Sequence, residues 1–332
     1  MTRRFLVIGC GSIGKRHIKN LLALNAGEVI GMDVQDARRH ETESQFSIKT
    51  AASLEDAWKW SPHVVLVTTP TSLHLPIAIQ AAQHGCHLFI EKPLADRLDG
   101  TDELMREVAA RKLISLVGCN LRFHPGLQTL KRLLDERAVG QVCAGRVEVG
   151  QYLPDWHPLE DYRNNYSAKK NLGGGVILDA IHELDYIRWL LGEVKSMACF
   201  AGKLSRLEIE TEDTAAILLR FASGAMGEVH LDYVQRAYRR TCQIIGDEGT
   251  ILWDYSAGRV SLYAAARRDW VHFDNPQDWE PNQMYVDELR HFIACLDGKE
   301  KPVLDVAEGR RVLEIALAAK ESSRSGQTIQ LR

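Results

Sequence analysis

Phe5-Leu6-Val7-Ile8-Gly9-Cys10-Gly11-Ser12-Ile13-Gly14 sets four apolar residues directly ahead of a G-x-G-x-x-G turn. A second apolar run, Val29-Ile30-Gly31-Met32, closes on Asp33, nineteen residues beyond Gly14. Strand, glycine turn, helix, strand and terminal carboxylate follow in the order that a dinucleotide-binding βαβ unit requires. The three glycines have separate duties: Gly9 for a tight turn, Gly11 for close approach of a pyrophosphate, and Gly14 for contact between helix and sheet. The backbone N–H groups of Ser12 and Ile13 are expected to meet the pyrophosphate, and Asp33 to accept from the adenosine ribose hydroxyls. A carboxylate there repels a 2′-phosphate, which favours NAD over NADP. Arg38 and Arg39 follow closely, however, and a guanidinium could admit NADP.

Further along, short apolar runs alternate with helical patterns. Val64–Val67, His87–Ile90 and Leu113–Gly118 read as strands, and Leu75–Gly85 and Thr101–Lys112 as helices, which predicts a doubly wound parallel sheet. Beyond Arg122 strand candidates follow one another with few helices between them: 142–149, 195–204, 214–221, 224–233, 241–245 and 260–263. The expected class is α/β, with an N-terminal Rossmann domain (residues 1–121) and an α+β domain with a largely antiparallel open sheet (122–304). A C-terminal segment (305–332), helical over Asp305–Ser322, is expected to dock back on the first domain. At 332 residues, two domains are also what a single core's size limit implies.

Composition narrows the function classes. Lys and Arg total 41 against 44 Asp and Glu, the formal charge is -3, and the basic pairs are scattered, so nucleic acid is not an expected partner. Seven cysteines without C-x-x-C spacing suggest neither a disulfide framework nor a metal site. The basic start Met1-Thr2-Arg3-Arg4 precedes an apolar stretch too short for a signal-peptide core, and no run reaches the length of a membrane span. A cytoplasmic, soluble protein is the expectation.

Two constellations stand where ligands bind in such sheets. Glu91-Lys92-Pro93 follows the fifth strand, so the Lys92 ammonium could hydrogen-bond a substrate hydroxyl and stabilise alkoxide charge; a plain loop lysine remains open. After Gly173-Gly174-Gly175, the residues Ile177, Ile181, Leu184, Ile187 and Leu191 recur at helical spacing. On one continuous helix Asp179 and His182 would share a face, suiting an imidazole base with a carboxylate companion; spacing alone favours the plainer reading, a helix-start aspartate and a surface histidine. Candidates for substrate contact are Arg122 and, in the loop from Gln151 to Asn171, Trp156, His157, Tyr162, Arg163 and Tyr166. Aromatic faces suit a sugar ring, and arginine suits a carboxylate or phosphate.

Together, G-C-G-S-I-G, the Thr69-Pro70-Thr71-Ser72-Leu73-His74 segment, Glu91-Lys92-Pro93, Asn120-Leu121-Arg122-Phe123 and G-G-G-V-I-L-D-A-I-H-E-L-D from Gly173 resemble the Gfo/Idh/MocA oxidoreductases over nearly the whole chain. The resemblance implies oxidation or reduction of a secondary alcohol on a sugar, sugar derivative or inositol with NAD or NADP. It implies Lys92 as the catalytic lysine, His182 as the acid/base and Asp179 as a substrate-binding companion. Thr69, Pro70, His74, Glu91, Lys92 and Asn120 would surround the nicotinamide half. The spacing of Asp179 and His182, three rather than the commoner four, resembles a subset of that family. Two alternatives stay open at this point: internal recycling of NAD during glycoside cleavage, and a non-catalytic NAD(P) sensor. The open sheet implies a homodimer or homotetramer.

Overall fold

The computed structural model describes residues 2–156 and 161–331, and the chain divides into two units, Met1–Asn120 with Pro281–Arg311 and Leu121–Glu280 with Val312–Arg332. His157, one of the expected substrate contacts, lies outside the described residues.

In the first unit the chain runs β1 (Arg4–Ile8), α1 (Ser12–Ala23), β2 (Glu28–Met32), α2 (Asp36–Phe46), β3 (Thr50–Ala51), α3 (Leu54–Trp58), β4 (Val64–Val67), α4 (His74–Gln83), β5 (His87–Glu91), α5 (Thr101–Ala110) and β6 (Ser115–Gly118). The six strands are parallel in the order β3-β2-β1-β4-β5-β6. Residues such as Phe5, Val7, Val64, Leu66, Phe89 and Leu116 are buried, as expected for strands covered by helices on both faces. Strand order turns back between β1 and β4, and the crevice beyond their carboxyl ends is where such sheets bind ligands. The helix expected at Leu75 begins one residue earlier, after a 3₁₀ turn at Thr71–Leu73. Helix α2 carries no apolar stripe: only Thr42 is buried, so periodicity gave no reading of it.

The second unit holds α6 (Pro125–Asp135), β7 (Val142–Gly150), α7 (Val176–Asp179), α8 (His182–Leu191), β8 (Val194–Gly202), β9 (Thr214–Phe221), β10 (Met226–Asp232), β11 (Arg239–Gly246), β12 (Gly249–Asp254), β13 (Arg259–Ala264) and β14 (Asp269–Asp274). After α9 (Asn282–Leu296), which belongs to the first unit, come α10 (Val306–Ser325) and β15 (Ile329–Gln330). The nine strands run β14-β13-β12-β11-β7-β10-β9-β8-β15, antiparallel except for the β7–β10 pair. Helices α6 and α8 cover one face. The other face displays Phe200 at 83% exposure, Leu218 at 59% and Leu252 at 38%, among the ion pairs Arg146–Glu228 (3.0 Å) and Arg239–Glu148 (2.9 Å).

Two expectations change. The single helix through Asp179 and His182 is broken: Asp179 ends α7, His182 begins α8, and Ala180 between them has φ -91° and ψ 33°. The chain's division also differs from the expected one, because α9 and the first turns of α10 group with the Rossmann strands while the remainder of α10 groups with the second unit. Contacts explain this. Val117 N–H donates to the Leu304 carbonyl (2.8 Å) and Arg310 pairs with Asp102, whereas Ser322 and Ser323 accept from the Cys199 and Ala201 N–H groups and β15 pairs with β8.

Candidate active site

The glycine turn shows which of its members the protein itself requires. Gly9 has φ 101°, and a Cβ there would stand 2.7 Å from the Thr68 carbonyl oxygen; a Cβ on Gly14 would stand 1.9 Å from the Gly9 carbonyl oxygen. Gly11 differs. Its φ of -72° and ψ of -167° are open to any residue, and an added Cβ would meet nothing nearer than Arg38 Nη1 at 3.9 Å. The space over Gly11 is therefore a cradle that a side chain would fill. Helix α1 starts there with no side-chain cap and no acidic residue in its first turn, leaving the Ser12 and Ile13 end to an anion. At the end of β4, Thr69 Oγ1 is buried without a hydrogen-bond partner among the described residues, next to Pro70.

Asp33, 5% exposed, binds both the turn and its own strand end: its Oδ2 accepts from Cys10 N–H and its Oδ1 from Gln35 N–H, each at 2.8 Å. Of the two neighbouring arginines, Arg39 is tied to the Asp33 carbonyl and the Asp36 carboxylate, while Arg38 Nη1 lies 3.7 Å from Asp33 Oδ2. These groups fit the adenosine and pyrophosphate parts of NAD.

The segment behind β5 is braced from two sides. His17 of α1 and Glu91 are both buried, with Nε2 and Oε1 2.6 Å apart, and Glu91 Oε2 accepts from the Lys92 N–H at 3.2 Å. Beyond Lys92, the Pro93 carbonyl lies 2.8 Å from His74 Nδ1, and the Thr69 carbonyl lies 2.8 Å from His74 Nε2. Burial pulls the His74 pKa below the ordinary histidine value, against the favourable carbonyl contacts and the Glu91 charge. Glu91 and His74, expected beside the nicotinamide, thus turn polar atoms toward the protein and hold the Lys92 segment. Asn120, just beyond β6, is buried.

In the second unit, Asp179 is the centre of a hydroxyl cluster. Its Oδ1 accepts from Tyr166 OH (2.5 Å), and its Oδ2 from Ser167 Oγ (2.6 Å) and Tyr233 OH (3.0 Å). Burial and the Asp179 charge hold the Tyr233 phenol well above its ordinary pKa, so it stays a donor. Trp156 packs edge-on against Tyr233 with ring centroids 5.3 Å apart. Three expected residues, Trp156, Tyr166 and Asp179, are therefore brought together around Tyr233. The other arginine and tyrosine candidates are engaged elsewhere. Arg122 makes a buried two-point ion pair with Asp185 (2.9 and 2.7 Å), and Tyr162 and Arg163 join Asp161 and Glu208 in an exposed cluster. His182 stands at the head of α8.

Family models match both parts of the chain: an oxidoreductase family with an NAD-binding Rossmann fold over residues 3–119, and a GFO/IDH/MocA C-terminal domain over residues 127–252. An inositol 2-dehydrogenase of Burkholderia cenocepacia is 30% identical, over 88% of this chain and 86% of its own. The chain belongs to the Gfo/Idh/MocA family. A myo-inositol 2-dehydrogenase of Thermotoga maritima is 28% identical over 99% of this chain and 98% of its own. A levoglucosan dehydrogenase solved with NADH shares the fold, with TM-score 0.90, 21% identity and full coverage of both chains. The protein is thus an NAD-binding oxidoreductase of the sugar or inositol dehydrogenase type, and the first unit is its NAD-binding domain.

Sequence reading missed Ser167, Tyr233 and His17. Tyr233 follows β10 as an ordinary strand-end aromatic, 54 positions from Asp179, and nothing local marks it. His17 carried a signal that could have been used, a polar residue on the buried side of α1 close behind Gly14.

Proposed function

We propose that this oxidoreductase is an NAD-dependent dehydrogenase acting on one secondary alcohol of a sugar, sugar derivative or inositol, with Lys92 and His182 as its catalytic residues. The observation that carries the reading is the braced Lys92 directly behind a strand of an NAD-binding sheet, in a chain similar from end to end to inositol dehydrogenases. When bound, the nicotinamide supplies the hydride acceptor, or the donor in reverse. Lys92 hydrogen-bonds the substrate oxygen and offsets the negative charge it develops. His182 takes the hydroxyl proton in oxidation and returns it in reduction. Asp179 fixes the Tyr166 phenol, and Tyr166 with Trp156 offers aromatic surface to the apolar face of the ring. Gly9, Gly11, Ser12, Ile13, Gly14 and Asp33 hold the adenosine diphosphate half, and Thr69, Pro70 and Asn120 flank the nicotinamide half.

The exposed sheet face, with Phe200, Leu218 and Leu252, supports assembly with a second copy of the chain. Among the described residues no helix is long and apolar enough to cross a membrane.

The test is turnover of NAD+ with a panel of inositols, neutral sugars, uronic acids and nucleotide sugars, followed by NADH absorbance. One panel member should give stoichiometric NADH, and Lys92→Met and His182→Ala should each lower turnover at least about a hundredfold with NAD+ binding kept. Near-normal turnover in either variant overturns the residue assignment, and glycoside cleavage without NADH overturns the net redox reading.

A further inference from the structure

We propose that His17 is a positioning residue for Lys92, acting through Glu91, so that the helix whose first turn takes the cofactor's pyrophosphate also sets the backbone of the lysine. The proposal rests on the reading of Lys92 given above. Four observations support it. His17 lies on α1, three residues after Gly14, and is fully buried. Its Nε2 is 2.6 Å from Glu91 Oε1, within direct hydrogen-bonding distance. The second Glu91 oxygen accepts from the Lys92 N–H, so a rotation of the Glu91 carboxylate removes that anchor directly. The His17 ring is itself confined, edge-on to Phe89 of β5 at 4.9 Å and to Tyr285 of α9 at 6.1 Å between centroids.

The chemistry assigns the atoms. A carboxylate only accepts, so His17 Nε2 carries the proton and donates to Oε1, while Oε2 accepts from the main chain. The other ring nitrogen, Nδ1, is buried without a hydrogen-bond partner among the described residues. An orphaned buried nitrogen costs stability, whereas a phenylalanine or leucine would fill the same space without that cost. Histidine at this point is therefore explained by its bond to Glu91 and not by packing. A reacting group displaced by about 1 Å loses on the order of a hundredfold in rate, so a modest shift of the Lys92 backbone is enough to register.

The experiment compares His17→Leu, His17→Gln, Glu91→Leu and the His17→Leu/Glu91→Leu double variant with the wild-type chain. The glutamine amide places an N–H donor near the position of Nε2 and keeps the bond to Glu91; leucine does not. Amide hydrogen exchange at Lys92 in the cofactor-free chain needs no substrate: it should rise at least about tenfold in His17→Leu and return toward wild type in His17→Gln. With the best member of the substrate panel, kcat should fall about ten- to a hundredfold in His17→Leu, with the Kd for NAD+ within about threefold of wild type and kcat largely recovered in His17→Gln. If His17 acts through Glu91, adding His17→Leu to Glu91→Leu lowers kcat little further.

Equal losses in the leucine and glutamine variants, or additive losses in the double variant, overturn the proposal, as does unchanged Lys92 exchange in His17→Leu. Should His17→Leu not fold, the His17→Gln and Glu91→Leu measurements decide it by the same criteria: Lys92 exchange protected in the first and lost in the second. A Lys92→Met variant with normal turnover would instead remove the lysine reading, and leave the exchange result to report on the structural bond alone.

Discussion

Replacing Gly11 with alanine separates what the fold needs from what the cofactor needs. The backbone at Gly11 already lies in a region open to alanine, and beyond its own chain neighbours the new methyl would meet only Arg38 Nη1, at 3.9 Å. Restricting the unfolded chain stabilises by about 0.4–1 kcal/mol, while exchanging glycine for alanine at a helix N-cap costs a similar amount, so the two offset. The melting temperature of the cofactor-free protein should stay within about 3 °C of wild type. The same methyl stands where a pyrophosphate would rest on the backbone, and overpacking of that kind costs about 1–3 kcal/mol. At about 2 kcal/mol the Kd for NAD+ rises roughly thirtyfold. Titration calorimetry measures it, and thermal shift with saturating NAD+ gives a second reading, because the ligand-induced rise in Tm should shrink. Gly14→Ala is the contrast: with Cβ 1.9 Å from the Gly9 carbonyl oxygen it should fail to accumulate as folded protein. Unchanged NAD+ affinity in Gly11→Ala would refute the assignment of that open space to the cofactor, however well the variant folds.

Other outcomes follow from the same geometry. Asp33→Ser should weaken NAD+ binding about ten- to a hundredfold by removing charge-assisted acceptance, and with Arg38 alongside it should shift preference toward NADP+; an unchanged ratio of the two Kd values speaks against the ribose role. Arg122→Met leaves the Asp185 carboxylate buried without its two-point partner and should cost about 3–5 kcal/mol in urea unfolding, most of it recovered in Arg122→Met/Asp185→Leu; equal losses in both would show that the ion pair is not the source. Asp213 gives a pH signature. Burial alone would raise its pKa, but N–H and hydroxyl donors from Leu204, Ser205 and Thr214 outweigh it and hold the carboxyl below its ordinary value. The folded value is the lower one, so the stabilisation is complete above about pH 4 and is lost as pH falls through the folded pKa. Asp213→Asn should therefore flatten the acid limb of Tm against pH, and an unchanged limb would assign acid sensitivity to other carboxylates.

The parallel strands were legible because a strand buried on both faces reads as an unbroken apolar run, and Val64–Val67 coincides with β4. Strand β14 was not, since its alternate residues face solvent without a buried set to mark them, and α2 escaped for the same reason. Which unit a late helix joins was also unreadable: the apolar side of α9, with Leu289 and Phe292, fits the Rossmann core, but amphipathicity specifies a partner's polarity and not its identity. In the site, position on the sheet pointed to Lys92. The hydroxyl cluster around Asp179 did not show, because its donors come from residues 166, 167 and 233, and helical periodicity across 176–191 gave no hint that the chain breaks at Ala180.

That break changes what the distance between Asp179 and His182 means. Within an uninterrupted helix each added or deleted residue swings everything downstream by about 100°, so a change of one in the count would point the imidazole to a different quarter. Ala180 interrupts that geometry: the carboxylate is held by hydroxyls from outside the helix, His182 opens the next helix, and Ala180 and Ile181 between them belong to neither. Counting residues between Asp179 and His182 is therefore a poor ruler for this arrangement, because the interval spans the end of one helix and the start of another.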